Sequence, residues 1–255
     1  MPRTGEPTGD PASSQPIRIA MWSGPRTVST AMMRSFENRP DTVVVDEPLY
    51  AFYLARTGID HPGRADILAS QPTDWRPVLD SLTTSPLPEG RFVCYQKHMT
   101  HHLLPEVDRK ALAPLRHAFL IRDPGQLLAS YAKVRAAPTL DDLGVRQQAE
   151  IFETFGGPVL DSRDLLQYPE QMLRGLCGAL GIGFSPSMLA WPAGRRETDG
   201  VWGPHWYQAV WRSTGFAPYR HSPQRLPAPL AALDARCRPF YERLRAYRLT
   251  PDREA

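Results

Sequence analysis

The stretch from Ile17 to Phe36 constrains the fold of this chain most. An apolar run (Ile17, Ile19, Ala20, Met21, Trp22) enters the loop Ser23-Gly24-Pro25-Arg26-Thr27-Val28-Ser29-Thr30 and leaves it as a helical pattern over Ser29 to Asn38. The order predicts a strand, a phosphate-sized loop and a helix. A helix N-terminus presents unpaired N–H groups and about half a positive charge, so a loop bringing hydroxyls and an arginine to it suits a phosphate-type anion. Ser29 and Thr30 also suit helix capping, which shares that geometry. The usual loop of ATP-hydrolysing proteins, G-x-x-x-x-G-K-[ST], sets a lysine before its hydroxyl. Here no lysine precedes Ser29-Thr30, Arg26 is the loop's cation, and Val28 stands where a second glycine would help the backbone wrap a phosphate. ATP hydrolysis is thereby disfavoured.

Further strand-like runs follow at Thr42 to Val45, Arg91 to Gln96, His117 to Arg122 and Pro158 to Leu160, each short, apolar and bounded by polar or turn residues. Helical patterns lie between them at Pro48 to Arg56, Gly125 to Arg135, Leu143 to Phe155 and Glu170 to Leu180. Alternating strands and helices predict a three-layer α/β fold, a parallel sheet with helices on both faces. Ligands of such sheets bind outside the carboxyl ends of the strands. That edge would gather Arg26 to Thr30 after the first strand, Asp46-Glu47 after the second and Lys97-His98 after the third.

The 255 residues suffice for one sizeable core, and a single domain is expected over residues 17–250. Residues 1–16, rich in Pro, Gly, Ser and Thr, are expected to form a mobile tail and lack the apolar core of a signal peptide. The 30 basic and 27 acidic residues are well mixed, which argues against nucleic acid as a partner and for a local basic pocket. No run is long and apolar enough to span a membrane. Cys94, Cys177 and Cys237 are too few and too scattered for a disulfide framework or zinc cluster, so reduced thiols and a cytoplasmic location are expected. Prolines cluster at Pro86-Leu87-Pro88 and from Pro223 to Pro229, which reads as rigid loops. The oligomeric state stays open between monomer and homodimer.

A second signal lies where Phe119-Leu120-Ile121 runs into Arg122-Asp123-Pro124 and then a helix bearing Ser130-Tyr131. Together with Pro25-Arg26-Thr27-Val28-Ser29-Thr30, it resembles the sulfotransferase family, whose first motif reads roughly P-[KR]-S-G-T-[TS]. The family's second motif reads R-[ND]-P, followed by a helix with a serine before an aromatic residue. The resemblance covers about residues 17 to 220 and departs from the pattern at Thr27-Val28, where the family has serine and glycine. It is nearest to bacterial sulfotransferase-like proteins with G-P-R-x-x-S-T, D-E-P-[LF]-Y and K-x-M-x-H-H segments.

The resemblance implies a P-loop nucleotide-kinase-like fold and, as donor, 3′-phosphoadenosine 5′-phosphosulfate (PAPS). The 5′-phosphosulfate would lie on Arg26, Thr27, Val28, Ser29 and Thr30, and the 3′-phosphate on Arg122 and Ser130. Arg195 and Arg196, in Gly194 to Trp202, look like the family's basic loop that closes over the nucleotide. Val159 to Leu166 looks like its late strand and acidic helix. The acceptor would be a hydroxyl or amine of a small molecule, with no metal required.

Sulfuryl transfer needs an in-line approach, stabilisation of oxyanion charge and a base for the acceptor. Arg26 suits the bridging oxygen and leaving phosphate of the donor, because guanidinium holds oxyanions bidentately; a surface arginine is the plainer reading. The family resemblance makes Glu47 the general base. Its flanks, Val43 to Val45 and Pro48-Leu49-Tyr50, would raise its pKa. The plainer reading is a first-turn glutamate favoured by the helix dipole, and Asp46 is close enough to exchange roles. His98 is the alternative base, near where cytosolic sulfotransferases carry one, with Lys97 on the transferred group or simply solvated.

His98, His101 and His102 also invite a metal reading, but no carboxylate or cysteine is obviously paired with them. The aromatic run Trp202, His205, Trp206, Tyr207, Trp211 and Phe216 would flank the adenine or an apolar acceptor, or merely pack on the sheet. Competing functions are an ATP-using kinase or NTPase on the same fold, and a nucleotide-binding protein without catalysis.

Overall fold

The computed structural model describes residues 15–133, 135, 137–220 and 225–251. The tail expected over residues 1–16 lies outside the described residues as far as residue 14, and so does the stretch 221–224 in the late proline tract. Five strands, β1 (Ile17–Ser23), β2 (Thr42–Asp46), β3 (Val93–Met99), β4 (Arg116–Ile121) and β5 (Val159–Asp161), form one sheet in the order β2-β3-β1-β4-β5. Every neighbouring pair is parallel. The chain steps from β1 past β3 to β2, returns through β3, and then crosses to β4 and β5 on the other side. All five carboxyl ends therefore share one edge, and the connections diverge next to β1, the position at which such sheets bind ligands.

Helix α1 (Ser29–Glu37) follows β1, and α2 (Tyr50–Thr57), α3 (Arg64–Ser70) and α4 (Trp75–Thr84) lie between β2 and β3. Beyond β4 come α5 (Pro124–Tyr131), α6 (Leu140–Leu143) and α7 (Val145–Phe155). Beyond β5 come α8 (Ser162–Gln167), α9 (Pro169–Ala179), α10 (Gly203–Trp206), α11 (Gln208–Trp211) and α12 (Ala228–Arg245).

The period-two alternation of the strands builds two cores. Ile19, Met21, Tyr95 and Leu120 face Met32 and Phe36 of α1 and Leu173 and Leu176 of α9. Ala20, Trp22, Phe119 and Ile121 face Leu79 and Leu82 of α4, Ile151 of α7 and Leu244 of α12. This is the three-layer arrangement expected from the sequence.

Strand β3 departs from the expected Arg91 to Gln96. It starts at Val93 and continues to Met99, with all seven residues buried. Gln96, Lys97 and His98 look like a strand end in sequence but are strand interior here, because each polar head has a protein partner. The end of the proline-rich tract opens α12: Pro227 is its N-cap and Pro229 lies in the first turn, where a missing N–H breaks no helical hydrogen bond.

Candidate active site

The loop after β1 turns so tightly that a Cβ on Gly24 would sit 2.7 Å from the Leu143 carbonyl oxygen, so only glycine fits without backbone movement. Arg26 and Val28 adopt left-handed backbone angles, φ 61° and 60°. With Glu47, at φ 41°, they are the only non-glycine residues with positive φ among the described residues. For a β-branched valine this conformation is strained, and such strain persists where surrounding structure enforces it, typically at functional sites. Alternation of left-handed residues about Thr27 turns successive N–H groups into a concave, anion-sized nest. Val28 is the N-cap of α1 and supplies no side-chain cap, so no cap hydrogen bond competes for the first-turn N–H groups. The Thr27 hydroxyl donates back to the Gly24 carbonyl at 2.8 Å and locks the turn.

The two sequence motifs meet here. Arg26 Nε donates to Ser130 Oγ at 3.0 Å, and an Arg122 nitrogen donates to the Arg26 carbonyl at 2.6 Å. Burial, and then the neighbouring Arg26 charge, lower the Arg122 pKa from its ordinary value. Arg122 borders a polar cavity of about 650 Å³ that reaches Arg163, Arg238 and Arg248. It also borders one of about 290 Å³ shared with Ser162, Arg163, Tyr219 and Arg220. A further cavity, of about 280 Å³, is lined by Pro25 to Ser29 of the loop together with Glu47, Tyr50, His102 and Trp206, among others.

Glu47 leaves the end of β2 into this last cavity. Lys97 Nζ donates to Glu47 Oε1 at 2.5 Å, to Asp46 Oδ1 at 2.9 Å and to the Tyr207 hydroxyl at 2.7 Å, so all three of its protons are engaged. The Tyr207 hydroxyl reaches Asp46 at 2.7 Å and accepts from Trp202 Nε1 at 2.9 Å, while the Gly200 N–H caps Asp46 at 3.1 Å. Two carboxylates thus share one buried ammonium. Burial pushes the Glu47 pKa up against the opposing pull of Lys97, and the Asp46 charge adds to the rise. Among the described residues Glu47 Oε2 accepts no hydrogen bond.

His98 lies on the opposite face of β3 from Lys97, as the strand period requires. It stacks on Trp22 with ring centroids 4.4 Å apart and its Nε2 donates to Gln96 Oε1 at 3.1 Å. It is 1% exposed and lines none of these cavities. Arg195 sits over the Trp211 ring at 4.3 Å, and Arg196 lies 4.0 Å from Glu37 at the far end of α1. Neither lines the cavities that touch Arg26 or Arg122. Thr30, in the first turn of α1, is half-buried. Of the aromatic run, Trp202 packs edge-on against Tyr50, Trp206 lines the cavity, and Phe216 packs on Trp191.

Among the described residues no group of three or more His, Cys, Asp or Glu is arranged to hold a metal. The residues around Arg122 that sequence reasoning missed, Arg163, Tyr219 and Arg220, carry no spacing signal of their own. Tyr207 was visible only as part of an aromatic run.

A family model described as Sulfotransferase domain matches residues 17–247. The chain belongs to the sulfotransferase family. Two solved sulfotransferase structures share its fold. The Sulfotransferase Domain from the Curacin Biosynthetic Pathway superposes with a TM-score of 0.52 at 14% identity, covering 88% of this chain and 98% of that one. A sulfotransferase from Alicyclobacillus acidocaldarius gives 0.53 at 13% identity, covering 91% and 95%.

Two Arabidopsis thaliana proteins are more similar in sequence. Branched-chain-amino-acid aminotransferase-like protein 1 is 38% identical over 240 residues, and protein 2 is 35% identical over 234. The match takes in 92% and 90% of this sulfotransferase-family chain but only 42% and 41% of theirs, so the chain spans about two-fifths of the length of these curated relatives. No described helix is long and apolar enough to cross a membrane, and all three cysteines are free and buried.

Proposed function

We propose that this protein transfers a sulfuryl group from PAPS to a hydroxyl or amine of a small acceptor, with Glu47 as general base. The observation that carries the reading is the junction of Arg26, Ser130 and Arg122 at the loop, with Glu47 opening into a cavity that the same loop lines. Two substrates meeting at one anion loop is what a two-substrate group transfer requires.

The loop N–H groups from Arg26 to Thr30 would hold the donor's phosphosulfate. Arg122 and Ser130 would hold its 3′-phosphate, and Tyr219, Arg163 and Arg220 would border the nucleoside. A bond forms from the acceptor oxygen to sulfur while the bond from sulfur to the donor's phosphate oxygen breaks. The electron pair leaves with adenosine 3′,5′-bisphosphate, and the acceptor's proton passes to Glu47. A base whose pKa is raised from the carboxylate range is better matched to that proton near neutral pH.

Lys97, with every proton spent, acts through Glu47 and Asp46 rather than on the sulfuryl group. His98, on the far face of β3, is assigned no catalytic part, and Arg195 and Arg196 are assigned none in nucleotide binding. The three buried thiols support a reducing compartment such as the cytoplasm.

Calorimetric titration with adenosine 3′,5′-bisphosphate, AMP and ATP, with and without magnesium, tests the reading. Selective, magnesium-independent binding of the bisphosphate is expected. Preference for magnesium and ATP would instead assign the site to kinase-type chemistry.

A further inference from the structure

The cavity beside Glu47 has a charge pattern that the donor leaves unused. Its volume of about 280 Å³ is at the small end for ligand sites. Tyr50, Tyr131 and Trp206 give it aromatic walls, and Tyr50 is itself backed by His102 at a ring separation of 4.6 Å. Its cations are Arg26 and Arg135. Arg26 is turned toward Ser130 on the donor side.

Arg135 is held by its backbone N–H on the Tyr131 carbonyl at 3.0 Å, and its side chain is 37% exposed. Among the described residues that side chain makes no hydrogen bond. Its ion-pair partner, Asp142 Oδ1, lies at 3.6 Å, beyond hydrogen-bond reach, while the other oxygen of that carboxylate, Oδ2, takes the Thr139 N–H and hydroxyl, each at 2.8 Å. A guanidinium fork that makes no hydrogen bond, at the wall of a small aromatic cavity, matches a carboxylate in geometry as well as charge. The three histidines of the wall do not compete for an anion. Burial lowers His61, pushes His101 down to about 3 and holds His102 well below its ordinary value, so all three are neutral at pH 7. Of the wall's carboxylates, Glu47 shares Lys97 with Asp46, and Asp60 is exposed.

We infer that the acceptor is a small alcohol or phenol that carries a carboxylate, with the carboxylate on Arg135, the apolar body between Tyr50 and Trp206, and the hydroxyl toward Glu47. This rests on the sulfuryl-transfer reading and adds the acceptor class to it.

Two matched acceptor series that differ only in charge test it, with PAPS as donor: 4-hydroxyphenylacetate, 4-ethylphenol and tyramine, and 4-hydroxybutyrate, 1-butanol and 4-amino-1-butanol. In at least one series the carboxylate member is expected to exceed the neutral member at least 10-fold in kcat/KM. Arg135→Ala should reduce that preference to under 3-fold through KM, with Arg135→Lys recovering part of it. Adenosine 3′,5′-bisphosphate binding, measured on each variant, should be unchanged and certifies the fold. Preference for the neutral or cationic member in both series, a preference that survives Arg135→Ala, or no turnover of any carboxylate member by protein that still binds the bisphosphate overturns the acceptor class. Failure to bind the bisphosphate at all overturns instead the reading beneath it.

Discussion

Arg26 and Ser130, separated by 104 residues in sequence, share a 3.0 Å hydrogen bond, and the Arg26 carbonyl takes the Arg122 guanidinium. The first loop and the second motif are thereby one mechanical unit. Removal of either partner should therefore be felt at both donor phosphates, the phosphosulfate on the loop and the 3′-phosphate on Arg122 and Ser130. Arg26→Ala is expected to abolish transfer while only weakening nucleotide binding. The Arg26→Ala/Ser130→Ala pair should be non-additive in bisphosphate affinity by about 0.5–3 kcal/mol, the range for residues in contact. Strict additivity in a calorimetric double-mutant cycle would show that the contact is not used when ligand is bound.

Glu47→Gln should lower kcat roughly 10²–10⁴-fold, the usual worth of a positioned base, with bisphosphate affinity unchanged. In the wild type, kcat should rise with pH along a limb centred above the ordinary 4.5 of a glutamate, because burial raises Glu47. The Tyr207 hydroxyl also lies 3.4 Å from Glu47 Oε1 and favours its ionised form, so Tyr207→Phe should move the limb further up. The same shift fixes the sign of a stability effect. A raised folded pKa favours the protonated native state, so stability is present below the ordinary value and lost as pH rises through the folded one. The wild type should therefore lose this increment as pH rises from about 4.5 through the folded value, and Glu47→Gln should not.

His98 should prove structural. His98→Ala opens a void against Trp22 and is expected to cost about 3 kcal/mol, in line with large-to-small changes in cores, with kcat per folded molecule unchanged. Burial holds His98 down to about 3 and His117 to about 4, against 6.5 as the ordinary value. The unfolded chain therefore binds more protons below pH 6.5, and stability should fall as pH drops from there toward 4. Thermal unfolding across that range checks both statements. A large loss of turnover in folded His98→Ala would return the base role to it.

Strands β1, β2, β4 and β5 and the anion loop were legible in the sequence because their signals are local: apolar runs, a turn, and hydroxyls at a helix start. The strand order was not, since pairing of β1 with β3 depends on contacts across the intervening helices. The site divides along the same line. Arg26, Arg122, Ser130 and Glu47 announce themselves by motif, and the structure brings the first three into hydrogen-bonded contact.

Lys97 and His98 are adjacent in sequence and were read together, yet period-two alternation sends them to opposite faces. Arg195 and Arg196 match a basic loop in composition, but Trp211 and Glu37 hold them at the far end of α1. Tyr207 could be tied to Asp46, 161 residues away, only by the folded chain.

Val28 occupies a glycine-like position. A non-glycine residue in the left-handed region costs about 1–2 kcal/mol, and glycine itself costs about 0.5–1 kcal/mol in chain entropy. Val28→Gly should therefore change stability by no more than about 1.5 kcal/mol and leave bisphosphate binding intact or tighter. Val28→Pro cannot reach φ 60° and should abolish binding. Calorimetry on the folded variants checks both, and equal behaviour of the two would show that the loop angle is not needed.

The most direct test of the donor site compares adenosine 3′,5′-bisphosphate with AMP in the wild type and in Arg122→Ala. A charge-assisted hydrogen bond contributes about 1.5–3 kcal/mol, so the 3′-phosphate should tighten wild-type binding roughly 10–100-fold, without magnesium. That advantage should shrink to a few-fold in Arg122→Ala, with a smaller change in AMP affinity. Equal affinity for the two nucleotides in the wild type, or a 3′-phosphate advantage untouched by the substitution, would contradict the account.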